Sequence, residues 1–432
     1  MTNILKKQLL KLRTQIIYFE SDLIEALKKD LNKSEHETLI SELYPVYKEL
    51  KFFIKNSRKI TKMRSLKTLS NNLLSHKGHF YKPHGEVLIF STWNYPFNLA
   101  LNPFIGAFAM GNKISMSLHP FTPNTNEVIS KILKPFDNVE VLTLKTIEEI
   151  LDYKKWDFIF FTGGELTGEK IRTKAYELKI PYCLELGGKS PVIVTESANL
   201  KLAAEQILYG KILNSGQTCV APDYLIVHES VKDAFDKIIQ KEIKNNKLDI
   251  MHLDSNISKI INIQTFDNLV KEIDKDTSNI SNDPLKQKIS LCYLNKEHLN
   301  SNFEQKEIMG PVVYTKTYKN WEDISKIISS NPNPLIIYLF SENKIDFQRV
   351  KTLNSGNLMI NATIDLVADS KLAFGGYKNS GYGKYHGWAS VELFSFKTAY
   401  LKVKRDIYMK FKKYPYTAKK LGILRKYLNI IK

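Results

Sequence analysis

A chain of 432 residues with 43% hydrophobic and 25% charged side chains can bury a large core and is not a disordered polymer. Its three cysteines, Cys183, Cys219 and Cys292, form no disulfide framework and suit a reducing compartment. The net charge of +18 is uneven: residues 402–432 hold eleven Lys or Arg against one acid, Asp406, so more than half of the excess sits in the tail.

The opening run "MTNILKKQLLKLRTQIIYFESDLIEALKKDL" has lysines breaking every apolar stretch. It reads as an amphipathic helix and not as a signal peptide, and no run reaches the roughly 18 apolar residues of a spanning helix. From Glu86 to Leu186 the pattern alternates. "VLIFST" (87–92), "KISMSL" (113–118), "VEVLTL" (139–144), "FIFFT" (158–162) and "YCLEL" (182–186) read as strands, each joined to the next by a helical segment. Short apolar strands joined by helical crossovers predict an α/β fold with a doubly wound parallel sheet. Ligands bind such sheets at the carboxyl ends of the strands, here 92–94, Leu118, 162–164 and 185–188.

After Gly188 a long helix (about 198–213) and mixed strands predict a second α/β unit. The expected division is 1–186 for N-terminal helices and a Rossmann-like dinucleotide-binding domain, 187–384 for a catalytic domain, and 385–432 for a bridging strand and basic tail.

Local chemistry singles out a few residues. Cys219, in "ILNSGQTCVAPDYLIV", is either a buried structural thiol or a nucleophile. Glu185 ends a buried strand in "CLELGGKSP", where desolvation raises its pKa toward the range of a general base; a capping or ion-paired glutamate is the alternative. Asn94 in "STWNYPFN" can donate to a developing oxyanion or build an Asx turn. Gly163, Gly164 and Gly168 follow a strand and open a helix, where backbone N–H groups attract a diphosphate. His76, His79 and His84 lie without cysteine or carboxylate at ligand spacing, and no metal is expected.

Five pieces in order, "WNYPFNL", "LELGGKSPVIV", "GKILNSGQTCVAPDY", "EIMGPVV" and "FGGYKNSGYGKYHG", make the chain resemble the aldehyde dehydrogenases, in particular the short class that includes the fatty aldehyde dehydrogenases. The likeness runs from about Leu9 to Leu424. It implies NAD(P)-dependent oxidation of an aliphatic or aromatic aldehyde to the acid. Cys219 would form a thiohemiacetal and then a thioester, Asn94 and the Cys219 N–H would hold the oxyanion, and Glu185 would activate the hydrolytic water. The resemblance also implies an NAD or NADP site. Glu307 would hold the nicotinamide ribose and Gly163, Gly164 and Gly168 the diphosphate, with Trp93, Ser117, Leu186, Gly187 and Met309 alongside.

Some positions depart from that pattern. Ser117 and Pro120 replace a lysine and a glutamate that hold the adenosine ribose, Gly164 replaces a serine, Met309 a phenylalanine, and Gln264 stands where arginine is common. Ser117 and Pro120 motivate a second reading, a cofactor-poor binding or scaffold protein. A CoA-acylating enzyme is disfavoured because Glu185 is retained. The resemblance further implies a homodimer joined through an edge strand near 390–404; no nucleic-acid partner is expected. In "AKKLGILRKYLNIIK", Leu421, Leu424, Leu428 and Ile431 share one helical face with lysines and Arg425 mainly opposite. That face is expected either to pack on the enzyme, the favoured reading, or to lie on a membrane surface, giving a cytoplasmic protein with peripheral inner-membrane contact.

Overall fold

The computed structural model describes residues 2–62, 64–66, 75–143, 146–248, 256–278, 280–296, 298–403 and 409–431. After a helical N-terminal segment come β1 (Arg64–Leu66) and β2 (Ser75–Pro83), then β3 (Glu86–Phe90), β4 (Lys113–Ser117), β5 (Val139–Val141), β6 (Phe158–Gly163) and β7 (Tyr182–Leu186). Farther along lie β8 (Pro191–Val194), β9 (Tyr224–His228), a two-residue ladder β10 (Asn282–Asp283) and β11 (Lys288–Ile289), and β12 (Cys292–Leu294). The last strands are β13 (Val312–Tyr318), β14 (Ile336–Phe340), β15 (Asn357–Ile360), β16 (Gly381–Tyr382) and β17 (Ser395–Val403).

The five predicted strands form a parallel sheet in the order β7-β6-β3-β4-β5, with crossovers on both sides of β3. Helices cover both faces, which is why these strands are apolar throughout and do not alternate. Val87, Ile89, Phe158 and Phe160 belong to one core cluster and Leu88, Phe90, Ile159 and Phe161 to another, so the period-2 pleat divides each strand between two cores. Three expected strands end before their apolar runs do, β4 by one residue at Ser117. β3 stops at Phe90, two residues before Thr92, and β5 at Val141, with Leu144 outside the described residues.

A second sheet, β12-β13-β9-β8-β14-β15, is also parallel. Its chain segment returns one strand to the first sheet: β16 pairs antiparallel with β7, Gly381 opposite Glu185. In a third, antiparallel sheet, β1-β2-β17, the β17–β2 pair alone carries nine register pairs, from Ser395↔Pro83 to Val403↔Ser75. The edge strand expected near 390–404 is thus β17, and 390–393 belong to the helix Gly387–Leu393.

The tail corrects one expectation. The helix Ala418–Ile431 forms, but its apolar face does not pack on the enzyme: Leu421, Leu424 and Leu428 are 51%, 42% and 52% exposed. Among the described residues no helix is long and apolar enough to cross a membrane.

Candidate active site

A cavity of about 530 Å³ opens where the carboxyl ends of β3, β6 and β7 face the segments that carry Cys219 and Glu307. Its wall takes Thr92, Trp93 and Asn94 from one strand end, Thr162, Gly163 and Gly164 from the next, and Glu185, Leu186, Gly187 and Gly188 from the third. Met309 lines it too. The fourth strand end, at Leu118, does not reach it. Ser117 and Gly168, expected at a dinucleotide, are also absent from the wall. Gly168 lies inside the helix Glu165–Leu178, and a Cβ there would stand 2.7 Å from Leu186 Cδ2, so its smallness serves helix–sheet packing. Gln264 is on an exposed helical surface, away from the cavity.

Cys219 sits past a backbone turn held under strain. The helix Leu200–Ile212 gives way to three left-handed residues, Asn214 (φ 51°), Ser215 (φ 51°) and Gly216 (φ 71°). For non-glycine residues that conformation costs roughly 1–2 kcal/mol each. At Gly216 a Cβ would meet the Gly310 carbonyl oxygen at 2.2 Å, so only glycine fits. The strain is offset by buried hydrogen bonds. Glu37 accepts the Asn214 N–H on one oxygen and the Ser258 hydroxyl on the other (2.9 Å), and Ser215 donates to the Ser258 carbonyl. Beyond the turn, the Thr218 and Tyr95 hydroxyls pair at 2.6 Å, and Tyr338 donates to the Val220 carbonyl at 2.6 Å. Cys219 is pinned from both sides.

Asn94 is buried, and local hydrogen bonds fix its side-chain amide. Its Oδ1 accepts the Tyr95 N–H at 3.1 Å, an Asx-type contact, while Nδ2 donates to the Gln217 carbonyl at 3.0 Å. An amide nitrogen carries two donors, so one is engaged by that bond and the amide is oriented beside the Cys219 turn. Its backbone carbonyl is held by Lys33 Nζ (2.9 Å) and Asn214 Nδ2 (2.8 Å).

Glu185 is 5% exposed, and neither carboxylate oxygen has a hydrogen-bond partner among the described residues. Burial holds its pKa well above the usual carboxylate range, with Lys384 pulling the other way. Burial likewise pushes the Cys219 thiol up, and the neighbouring Glu307 and Glu185 carboxylates add to the effect. Strongly perturbed groups sharing one cleft mark it as a candidate functional site, although burial holds the thiol in its protonated form.

Glu307 is moved to about 8, mainly by burial and then by Asp223, against the Gly188 N–H, Lys189 and Lys211. Its loop is bracketed by a buried ion pair that sequence reasoning did not single out. Lys189 binds Asp223 and donates to the Phe303 (2.7 Å) and Lys306 (3.0 Å) carbonyls, while Asp223 accepts the Ile308 N–H at 2.8 Å. Lys211, buried and pushed down to about 8, donates to the Ile308 carbonyl at 3.2 Å. Lys33, Glu37 and Glu42 were missed as well. The one local signal for them is charge in a helical stretch, "LNKSEHETLISEL", rich enough in leucine and isoleucine to be buried.

Several features suit a dinucleotide. Gly164 caps the helix Glu165–Leu178 without a side chain, and a Cβ there would meet nothing within 4 Å, so the start of the helix is left uncrowded. Glu307 Oε1 is buried without a partner. Gly187 makes room for that carboxylate: a Cβ would fall 2.0 Å from Oε2. The residues at the diphosphate and nicotinamide-ribose ends therefore fit the group. At the other end His119, whose burial pushes it down to about 4, stacks edge-on with Phe121 beside Ser117, and no carboxylate stands at 117–120. Among the described residues no group of three or more His, Cys, Asp or Glu is placed to hold a metal ion.

Comparison with known proteins identifies the family. Residues 5–399 match the aldehyde dehydrogenase family model. The 4,4'-diaponeurosporen-aldehyde dehydrogenase of Staphylococcus aureus is 37% identical over 406 residues, covering 92% of this chain and 88% of that protein. The substrate-bound structure of Staphylococcus aureus AldH superposes with a TM-score of 0.92 at 33% identity, over 99% of this chain and 95% of that one. Betaine aldehyde dehydrogenase from the same organism, solved with NAD+, shares the fold at a TM-score of 0.82 and 21% identity, over 94% of this chain and 85% of that one. With a thiol, a carboxylate and a carboxamide gathered in one cleft and a family match along nearly its whole length, the chain belongs to the aldehyde dehydrogenase family.

Proposed function

We propose that Cys219, Asn94 and Glu185 carry the oxidation of an apolar aldehyde to its carboxylic acid, with NAD or NADP as the oxidant. The observation that carries this reading is that all three line one cavity with Glu307, Gly163 and Gly164. A nicotinamide dinucleotide, when bound, supplies the hydride acceptor. Glu307 would hold its ribose, the backbone at Gly163 and Gly164 its diphosphate, and Trp93, Leu186, Gly187 and Met309 would flank it.

The chain's own groups do the rest. The Cys219 sulfur adds to the aldehyde carbon, and the Asn94 amide together with the Cys219 N–H takes the charge that builds on oxygen. Oxidation at that carbon leaves a thioester on Cys219. Glu185 then accepts a proton from the water that attacks the thioester, releasing the acid and the thiol. A carboxyl buried without partners binds its proton strongly once it receives one, which suits that task.

A medium- or long-chain aliphatic or an aromatic aldehyde is the substrate class, supported by the likeness to a relative named for a 4,4'-diaponeurosporen-aldehyde. The division into cofactor (1–186), catalytic (187–384) and bridging (385–432) units goes with this function. So does a homodimer formed along β17, a nine-residue strand with an exposed edge. The basic tail helix would lie on an anionic membrane surface, its exposed leucines inward. NAD(P)H absorbance with a panel of aldehydes tests the main reading. Turnover is expected from the native chain and none from Cys219→Ala, with the fold retained; more than a few per cent residual activity in that variant would remove Cys219 from the chemistry.

A further inference from the structure

The hydrolytic half of the proposed reaction needs Glu185 as a carboxylate, in a place that disfavours charge. The groups that face it are Cys183 two positions earlier on β7, the Cys219 thiol across the cavity, and Lys384 and Tyr385 on the strand-and-turn segment that pairs with β7. Lys384 is the cation among them.

Its position is tightly built. Lys384 Nζ donates to the Gly356 carbonyl at 2.5 Å and also to the Gly375 carbonyl. Gly375, at φ 156°, is the point where the two side chains meet. A Cβ there would stand 2.7 Å from Glu185 Oε1 and 3.1 Å from Lys384 Cδ. The carboxylate and the lysine stem therefore both crowd the one place that a Cβ of residue 375 would take, and a side chain there would displace them. Two fixed carbonyls then hold the ammonium near Glu185 without a direct ion pair, leaving both carboxylate oxygens unpartnered for water.

We propose that Lys384 is a positioning residue for thioester hydrolysis, supplying, from its seat on the Gly356 and Gly375 carbonyls, the positive charge that lets the buried Glu185 work as a carboxylate base. This rests on the reading of Glu185 as that base. An opposite charge within roughly 4–6 Å lowers a carboxyl pKa by about 1–3 units, and burial weakens the screening that would hide it. The opposition between burial and Lys384 at Glu185 has the same sign.

The test isolates hydrolysis from oxidation. p-Nitrophenyl acetate acylates the Cys219 thiol directly: the S–C bond forms, the C–O bond breaks and nitrophenolate leaves, with no dinucleotide needed. The rate after the burst is then hydrolysis of the acetyl thioester. Cys219 cannot titrate while acylated, so the acid limb of that rate between pH 5 and 10 reports Glu185. Lys384→Gln is expected to keep the burst amplitude and move the limb up by about one unit, with hydrolysis about tenfold slower below it. Lys384→Arg should return the limb to within a few tenths of the native position, which mere packing would not do. If the Gln variant does not fold, Lys384→Met, which keeps most of the stem, carries the same measurement. A limb at its native pH in a folded Gln or Met variant overturns the role of Lys384. A limb that persists unchanged in Glu185→Gln overturns the reading of Glu185 itself.

Discussion

Lys33 and Asn94 are joined inside the protein: the buried ammonium of Lys33 donates to the Asn94 backbone carbonyl at 2.9 Å while holding Glu42 Oε1 at 2.5 Å. Lys33 also lies 4.0 Å from the centre of the Tyr95 ring. Glu42 uses its other oxygen to accept the Asn98 N–H at 2.8 Å, and it stands in a π-helical turn, Leu39–Leu43, of the kind often found at functional sites. The N-terminal helices thus reach the proposed oxyanion residue through the Lys33–Glu42 pair and again through Glu37 and Asn214.

Breaking that pair from one side should be severe. Lys33→Met strands a buried carboxylate, at a cost of about 3–5 kcal/mol. The double variant Lys33→Met, Glu42→Met removes the stranded charge and should be more stable than Lys33→Met alone, though below the native chain because Asn98 N–H and the Asn94 carbonyl lose partners. Urea denaturation of the three proteins decides it. Strictly additive losses would mean that the two charges do not depend on each other.

Gly187 is the position where a methyl group does most damage to the proposed cofactor site. A Cβ 2.0 Å from Glu307 Oε2 and 2.8 Å from Cδ forces the carboxylate to swing away, while the strand behind it is unaffected. Gly187→Ala is expected to weaken NAD binding at least tenfold, with the melting temperature nearly unchanged. Titration of the dinucleotide by calorimetry measures this; unaltered affinity would detach Glu307 from the ribose.

Most of the first sheet could be read from the chain because its crossovers are short and its strands are apolar on both faces. Cys219, Glu185 and Asn94 could be singled out at strand ends and a turn, but each kept a structural alternative until the resemblance proposed a role, and the structure places all three on one cavity. Their supports were not legible. Glu37 meets Asn214, and Lys33 meets Asn94, across separations that no periodicity spans. β16 is only two residues long, too short for a pattern, yet it sets Gly381 opposite Glu185. The tail helix has a clear stripe, but amphipathicity alone does not say which surface, if any, the stripe meets.

Glu185 also ties stability to pH. Its folded-state pKa is raised by burial, so the neutral carboxyl is favoured in the fold. Its contribution is fully present below the unfolded value near 4.5 and is lost as pH rises through the folded pKa. Glu185→Gln keeps the shape and cannot ionise. Its melting temperature relative to the native chain should therefore climb between pH 5 and 9 and be flat below pH 4.5. Thermal melts across that range check it, and a constant offset would mean that the Glu185 carboxyl ionises as readily folded as unfolded. The same variant should show a burst of reduced cofactor followed by a slow steady state, gaining stability while losing hydrolysis.

The exposed tail helix supplies a last test. Leu421, Leu424 and Leu428 lie on one side and are exposed, with Lys419, Arg425 and Lys426 among the basic residues around them. Each basic residue close to an anionic bilayer contributes on the order of 1 kcal/mol, falling off within a Debye length. Leucines buried at the acyl boundary add to that, whereas the same face left in water gains nothing. Co-sedimentation with vesicles containing an anionic lipid should pellet the full chain at low salt and release it as salt rises. A chain ending at Tyr414 should stay in the supernatant throughout, with its aldehyde oxidation retained. Vesicles of neutral lipid should recover much less of the full chain, because the charge contribution is then missing. Equal, salt-insensitive recovery of both chains in the supernatant would mean that the helix meets another protein surface or none.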